Sequence, residues 1–179
     1  KAAKAKHPES EVKGTIAVLK LVLLYVWTSV FWGLFDQSGS TWVLQGEKMD
    51  LNFMGTTLNP AQLQAINPIL VMTLIPVFTL GIYPALEKLG IRMTSLKKMV
   101  GGMFLAALSF AAVALIQTKL EQGTQLSIAY QFFPYLIITV AEVMISVTGL
   151  EFAYTQAPRS MKSTIMSFWL LTTFLGNKL

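Results

Sequence analysis

The chain has 179 residues, 54% of them hydrophobic and only 13% charged, with a mean hydropathy of +0.57. An ordinary globular chain carries about 25% charged residues, so a water-soluble globule is excluded for want of polar surface. With no cysteine and one histidine, His7, the sequence offers no disulfide, thiolate or paired-histidine metal centre, and its net charge of +5 lacks the basic–aromatic clustering of nucleic-acid binders.

Five apolar stretches follow in chain order. They predict an all-α, polytopic membrane helix bundle with spans at about 15–36, 61–87, 99–118, 132–157 and 163–179. Each approaches the ~20 residues that a helix needs to cross a ~30 Å hydrocarbon core. The runs are continuous and lack the ~10-residue alternating segments of a membrane barrel. Helices also satisfy their own backbone hydrogen bonds, which lipid cannot do for them.

The first span carries Lys20 near its start, Trp32 and Phe35 on one face near its end, and Asp36 at its far boundary, roughly 32 Å from Thr15. A loop from Gln45 to Pro60 follows. The second span contains Asn67 before Pro68, with Pro76 and Pro84 beyond, a spacing that predicts bends. The loop 87–98 is short and basic. The third span opens on Gly101 and Gly102, small residues suited to close helix packing.

The fourth span holds two acids. Glu142 lies about 15 Å from Phe132, near the bilayer midplane, and Glu151 about 28 Å in, near the opposite boundary. At 100° per residue they fall on opposite faces. Glu142, Ser146, Gly149 and Leu150 then form one stripe with the charge at its deepest point. An acid at that depth costs ~2.5–3.5 kcal/mol on insertion scales. It serves either as structural glue hydrogen-bonded to a neighbouring helix or as a site for a cation or an ammonium group. Glu151 can reach headgroups or pair with Arg159 or Lys162, and Asp36 either caps its helix or gates. The fifth span carries Trp169.

Lysine and arginine set the orientation. Eleven of the fourteen fall on the side of the N-terminus and of the loops 87–98 and 157–162, and three on the other. The positive-inside rule therefore places the N-terminus in the cytoplasm, and Lys20 can snorkel toward that face. A first residue that is not Met and a last span that stops abruptly predict a piece of a longer protein.

Four blocks now stand in order: FWGLFDQSGSTW at 31–42; INPIL at 66–70 with Val77, Phe78, Tyr83 and Pro84; EVMISVTGLEFAYTQAP at 142–158; and MKS at 161–163 with WLLT at 169–172, Gly176 and Asn177. Together they resemble the proton-dependent oligopeptide transporters across nearly the whole chain. The resemblance implies a major facilitator fold of two six-helix bundles, of which this chain is a partial C-terminal bundle. It also implies a multi-pass protein of a bacterial inner membrane that carries di- and tripeptides with protons, with no metal, cofactor or nucleic acid.

By the same resemblance, Glu142 receives the peptide's amino terminus with Asn67 beside it. Trp32, Phe35, Ser146 and Trp169 line the central side-chain pockets, Leu150 is a cytoplasmic gate residue, and Asp36 belongs to an outer gate. The family's Glu-x-x-Glu-Arg segment and its carboxylate-binding bases belong to an N-terminal bundle that this chain lacks. Where some relatives carry an acid able to pair with a base near Lys20, this chain has Thr79. Two alternatives remain: a transporter of the same superfamily with another small substrate, and a non-transport membrane scaffold. An enzyme is not expected, since no Gly-x-Gly-Asp, His-Glu-x-x-His or Gly-x-Ser-x-Gly pattern occurs.

Overall fold

The structure is a computed structural model that describes residues 9–156 and 161–178. Pro158 and the base Arg159 lie outside the described residues, as does the side chain of Lys20. Helix α1 runs from Glu9 to Asp36 and passes through a 3-10 turn, Gln37–Gly39, into a short helix α2, Thr41–Gly46. A small antiparallel hairpin pairs β1, Asn52–Phe53, with β2, Thr56–Thr57. A broken second rod follows as α3 (Gln62–Ala65), α4 (Asn67–Pro76), a π-helical segment (Val77–Ile82) and α5 (Tyr83–Lys88). Then come α6 (Ser95–Glu121), a 3-10 turn (Ile128–Gln131), α7 (Phe132–Glu142), a second π segment (Val143–Val147), α8 (Thr148–Gln156) and α9 (Lys162–Gly176).

Among the described residues, three helical stretches are long and apolar enough to cross a membrane: Gln62–Lys88, Ser95–Glu121 and Ile128–Thr155. Helix α1, at 28 residues, is long enough for a span. Helix α9, at 15 residues, is about 22 Å long and falls short of the ~30 Å hydrocarbon core.

The prolines explain part of the second rod. Pro68 and Pro84 stand in the first turns of α4 and α5, where a missing N–H costs nothing. Pro76 ends α4, and the wider π segment begins at the next residue. An interior proline removes one rung of the ladder and pushes on the preceding turn, which a wider turn relieves. The second π segment has no proline to announce it. It also overturns the α-helical stripe of the sequence reading. Between Glu142 and Leu150 the chain does not advance by 100° per residue, so neither the single face of Glu142, Ser146, Gly149 and Leu150 nor the opposition of Glu142 and Glu151 carries over.

The chain forms two compact units. One takes the described residues up to Gly33 together with those from Gly149 onward. Its core is Val18, Leu21, Tyr25, Ala153, Ile165 and Trp169. The Tyr25 hydroxyl donates to the Ile165 carbonyl at 3.3 Å, and the Tyr25 and Trp169 rings meet edge to face at 6.0 Å. Helix α9 packs tightly on α1 at Gly176, where a Cβ would stand 2.6 Å from the Ser29 carbonyl oxygen. Lys162 lies over the Tyr154 ring at 3.8 Å, and Glu151 is exposed.

The other unit runs from Leu34 to Thr148. Here α6 packs on α7 and the π segment behind it through Gly102, whose missing Cβ would stand 2.6 Å from Ile145 Cγ1 and 3.0 Å from the Ala141 carbonyl oxygen. That is the close packing expected of the Gly101–Gly102 pair. The predicted loop 45–60 is partly structured instead. Its hairpin turns at Met54 and Gly55, both at positive φ, the pattern of a tight two-residue turn. Backbone bonds join Asp50 to Leu126 and Ile128. The loops 45–60 and 119–131 thus share one end of this unit, as helices that alternate in direction require.

Candidate functional site

Helices α4 and α7 build the polar centre of the Leu34–Thr148 unit. Asn67 is the first residue of α4 and Glu142 the last of α7. The Asn67 Nδ2 donates to Glu142 Oε2 at 2.8 Å and to Thr139 Oγ1 at 3.3 Å. Thr139, fully buried one turn before Glu142, turns its own proton back to the Tyr135 carbonyl at 2.8 Å. Both amide protons of Asn67 are therefore spent. Its Oδ1 and the second carboxylate oxygen of Glu142 remain as acceptors, and among the described residues no lysine or arginine pairs with Glu142. Chemically, this is a half-buried carboxylate fixed by one amide, with two acceptor atoms left for a donor from outside.

Asn67 also lines an open cleft of about 460 Å³. Its other walls come from Phe35 and Asp36 at the end of α1, from Gly39 and Ser40 just beyond it, from Gln64 and Pro68 on the α3–α4 rod, and from Tyr135 and Ile138 on α7. Tyr135 holds one wall in place: its hydroxyl donates to the Ser38 carbonyl at 2.6 Å, and its ring meets Trp42 edge to face at 5.1 Å. Asp36 is exposed at the mouth, and its carbonyl accepts from the Ser40 hydroxyl at 3.4 Å.

The eight residues singled out in the sequence divide between the units. Glu142 and Asn67 touch, and Phe35 and Asp36 share the cleft with Asn67. Ser146 is half-buried within the second π segment, on the chain just past Glu142. The remaining three belong to the other unit. There Trp169 is 6% exposed and sits in the core, Leu150 packs at that core's edge, and Trp32 meets Phe31 edge to face at 5.4 Å. Sequence reasoning missed Thr139, Tyr135, Gln64 and Gly39. Thr139 had a readable signal, since it stands three residues before the acid on the same helix. The others had none, because their roles depend on residues far away in the chain.

Among the described residues, no group of three His, Cys, Asp or Glu lies together to hold a metal ion. The acceptor atoms left at Glu142 and Asn67 are complementary to a ligand that donates, such as an ammonium or an amide.

The family model described as the POT family matches residues 2–179. Solute carrier family 15 member 2 of Mus musculus is 38% identical over 149 residues, covering 82% of this chain and 20% of its own length. A crystal structure of an auto-inhibited POT family peptide transporter matches with a TM-score of 0.92 at 44% identity, covering 98% of this chain and 34% of that one. Another, of a POT family transporter in complex with a thioalcohol-conjugated peptide, matches at 0.75 and 27% identity over 90% of this chain and 34% of its own. The chain thus spans about a fifth of its curated relatives and a third of the solved transporters. Its helices are those of the major facilitator fold in part, and the chain belongs to the POT family of multi-pass membrane transport proteins.

Proposed function

We propose that this chain is the C-terminal part of a proton-coupled symporter of di- and tripeptides, and that it supplies the half of the site that binds the peptide's amino terminus. The observation that carries the reading is the pair Glu142–Asn67, an acid deep in a membrane-spanning stretch whose partner amide has spent both its protons. A primary ammonium has three donors and no acceptor. It is complementary to the two acceptors left over, and its charge offsets that of the carboxylate. Pairing of this kind is strengthened where water is scarce, and it fixes one end of a substrate while leaving the side chains unspecified. That suits a carrier of chemically varied peptides.

An anion such as nitrate is repelled by the same carboxylate, which disfavours that alternative. One solved relative is in complex with a thioalcohol-conjugated peptide, which agrees with a peptide substrate here. Phe35 and Ser146 would supply pocket walls, Asp36 the outer gate and Leu150 the inner one. In this reading the N-terminus of the chain is cytoplasmic, the membrane is a bacterial inner membrane, and the partner is an N-terminal bundle of the same transporter. Alternating access arises from rocking of the two bundles.

The test uses the full-length transporter that contains this chain, reconstituted in liposomes with a proton gradient. Uptake of a labelled dipeptide should be inhibited by Ala-Ala and hardly at all by N-acetyl-Ala-Ala, which lacks the ammonium. Equal inhibition by the two peptides would remove the role given to Glu142.

A further inference from the structure

Gln64 stands three residues before Asn67 on nearly helical backbone, a rise of about 4.5 Å. Its carboxamide lines the cleft but makes no hydrogen bond to another described residue. It lies over the bare Cα of Gly39, where a Cβ would stand only 2.5 Å from Gln64 Nε2. The φ of Gly39 is not positive, so the backbone does not call for glycine there. What glycine provides at this position is room for the amide. The result is one donor and one acceptor side by side in an open cleft, one turn from the atoms that would hold the ammonium.

Asp36, which is exposed, also lines the cleft. An exposed carboxylate there repels the substrate's own carboxylate, so the peptide's C-terminal end leaves in another direction. What enters the cleft with the ammonium anchored is the side chain on the same Cα.

We infer that Gln64, seated over Gly39, is a specificity-determining residue that hydrogen-bonds a polar, amide-bearing first side chain of the substrate. The inference rests on the reading of Glu142 and Asn67 as the ammonium site. An asparagine side chain offers the complementary acceptor and donor to Gln64. Leucine, of nearly the same shape, offers neither and leaves the Gln64 amide to be desolvated without a partner.

The experiment measures inhibition of Ala-Ala uptake by Asn-Ala and by Leu-Ala in the full-length transporter. The parent protein should favour Asn-Ala by about threefold to tenfold, the range of one or two modest hydrogen bonds. Gln64→Leu should erase that ratio, with both inhibition constants read against Ala-Ala uptake by the same variant. Gly39→Ala should do the same with Gln64 still in place, since the new Cβ displaces only the end of a flexible side chain. An unchanged Asn-to-Leu ratio in both variants, with Ala-Ala still carried, overturns the role of Gln64 and spares the ammonium site. Equal inhibition by Ala-Ala and its N-acetyl form overturns the ammonium site, and the role of Gln64 with it.

Discussion

Two polar clusters hang from the stretch 131–142, and they differ in what they leave over. At one end, Gln131 is fully buried and donates both amide protons, to the Trp42 carbonyl at 2.8 Å and to Gln45 Oε1 at 3.1 Å. Gln45 in turn donates both of its own, to the Val113 carbonyl and to Gln117 Oε1. The Gln131 Oε1 is sealed against Gly46, where a Cβ would come within 3.0 Å of it. Gln131, at the heart of this cluster, is out of reach from outside. At the other end, Glu142 and Asn67 also join two helices by hydrogen bonds, yet they keep two acceptors and open through Asn67 onto a cleft. The difference separates glue from site. Polar groups in a membrane protein bind helices together when they are sealed and their donors spent, and they bind ligands when acceptors remain at a water-accessible wall.

That contrast is tested first where the expected effect is largest. Replacing Glu142 by Gln keeps the shape and removes the charge. Loss of one partner from a close charge pair costs ~2–5 kcal/mol, so Ala-Ala uptake by the full-length transporter should fall at least about thirtyfold. The unfolding midpoint in detergent should hardly move, because Asn67 can still bond a carboxamide oxygen. A large drop in midpoint with uptake per folded molecule preserved would make Glu142 glue as well, and the contrast would collapse.

The sealed cluster should behave in the opposite way. Gln131→Leu removes two interhelical hydrogen bonds, each worth roughly 0.6 to 1.7 kcal/mol in a membrane protein. It should lower the unfolding midpoint and leave uptake per folded molecule within about twofold. Selective loss of uptake at unchanged stability would give Gln131 a functional role that its burial argues against.

Sequence alone separated the two clusters only halfway. Glu142 is legible because an acid in the middle of an apolar run is costly and must serve either as glue or as a site, and Asn67 because it interrupts a second such run just before a proline. Gly101 and Gly102 announced a close helix contact, which Gly102 makes with Ile145 and Ala141. Charge alternation required the loops 45–60 and 119–131 to share an end, and Asp50 does bond to Leu126 and Ile128. Gln45 and Gln131, by contrast, stand at loop boundaries where nothing in the local sequence singles them out. Their burial depends on α2 folding back over α6 and α7, which no local pattern encodes. The π segment 143–147 is equally silent, having neither proline nor a glycine pair. It cost the sequence reading its stripe of residues along the fourth span. Gln64 and Gly39 are 25 positions apart, and only the fold makes one the reason for the other.

The smallest predicted effect comes from the residue shared by the two clusters. Tyr135 meets Trp42 edge to face, at the sealed end, and lines the cleft, at the open one. Its hydroxyl fixes the Ser38 carbonyl, within the turn that carries Gly39. Tyr135→Phe deletes that bond and keeps the ring, so the unfolding midpoint should fall by the equivalent of only about 0.6 kcal/mol. If Tyr135 serves mainly the sealed end, this loss is all that follows. If it serves the cleft, the turn 37–39 gains freedom and the wall opposite Gln64 loosens. Discrimination among peptides should then weaken by about twofold to threefold, with Ala-Ala itself carried as before. Inhibition constants for a matched set of dipeptides, read beside the midpoint, assign Tyr135 to one cluster or the other.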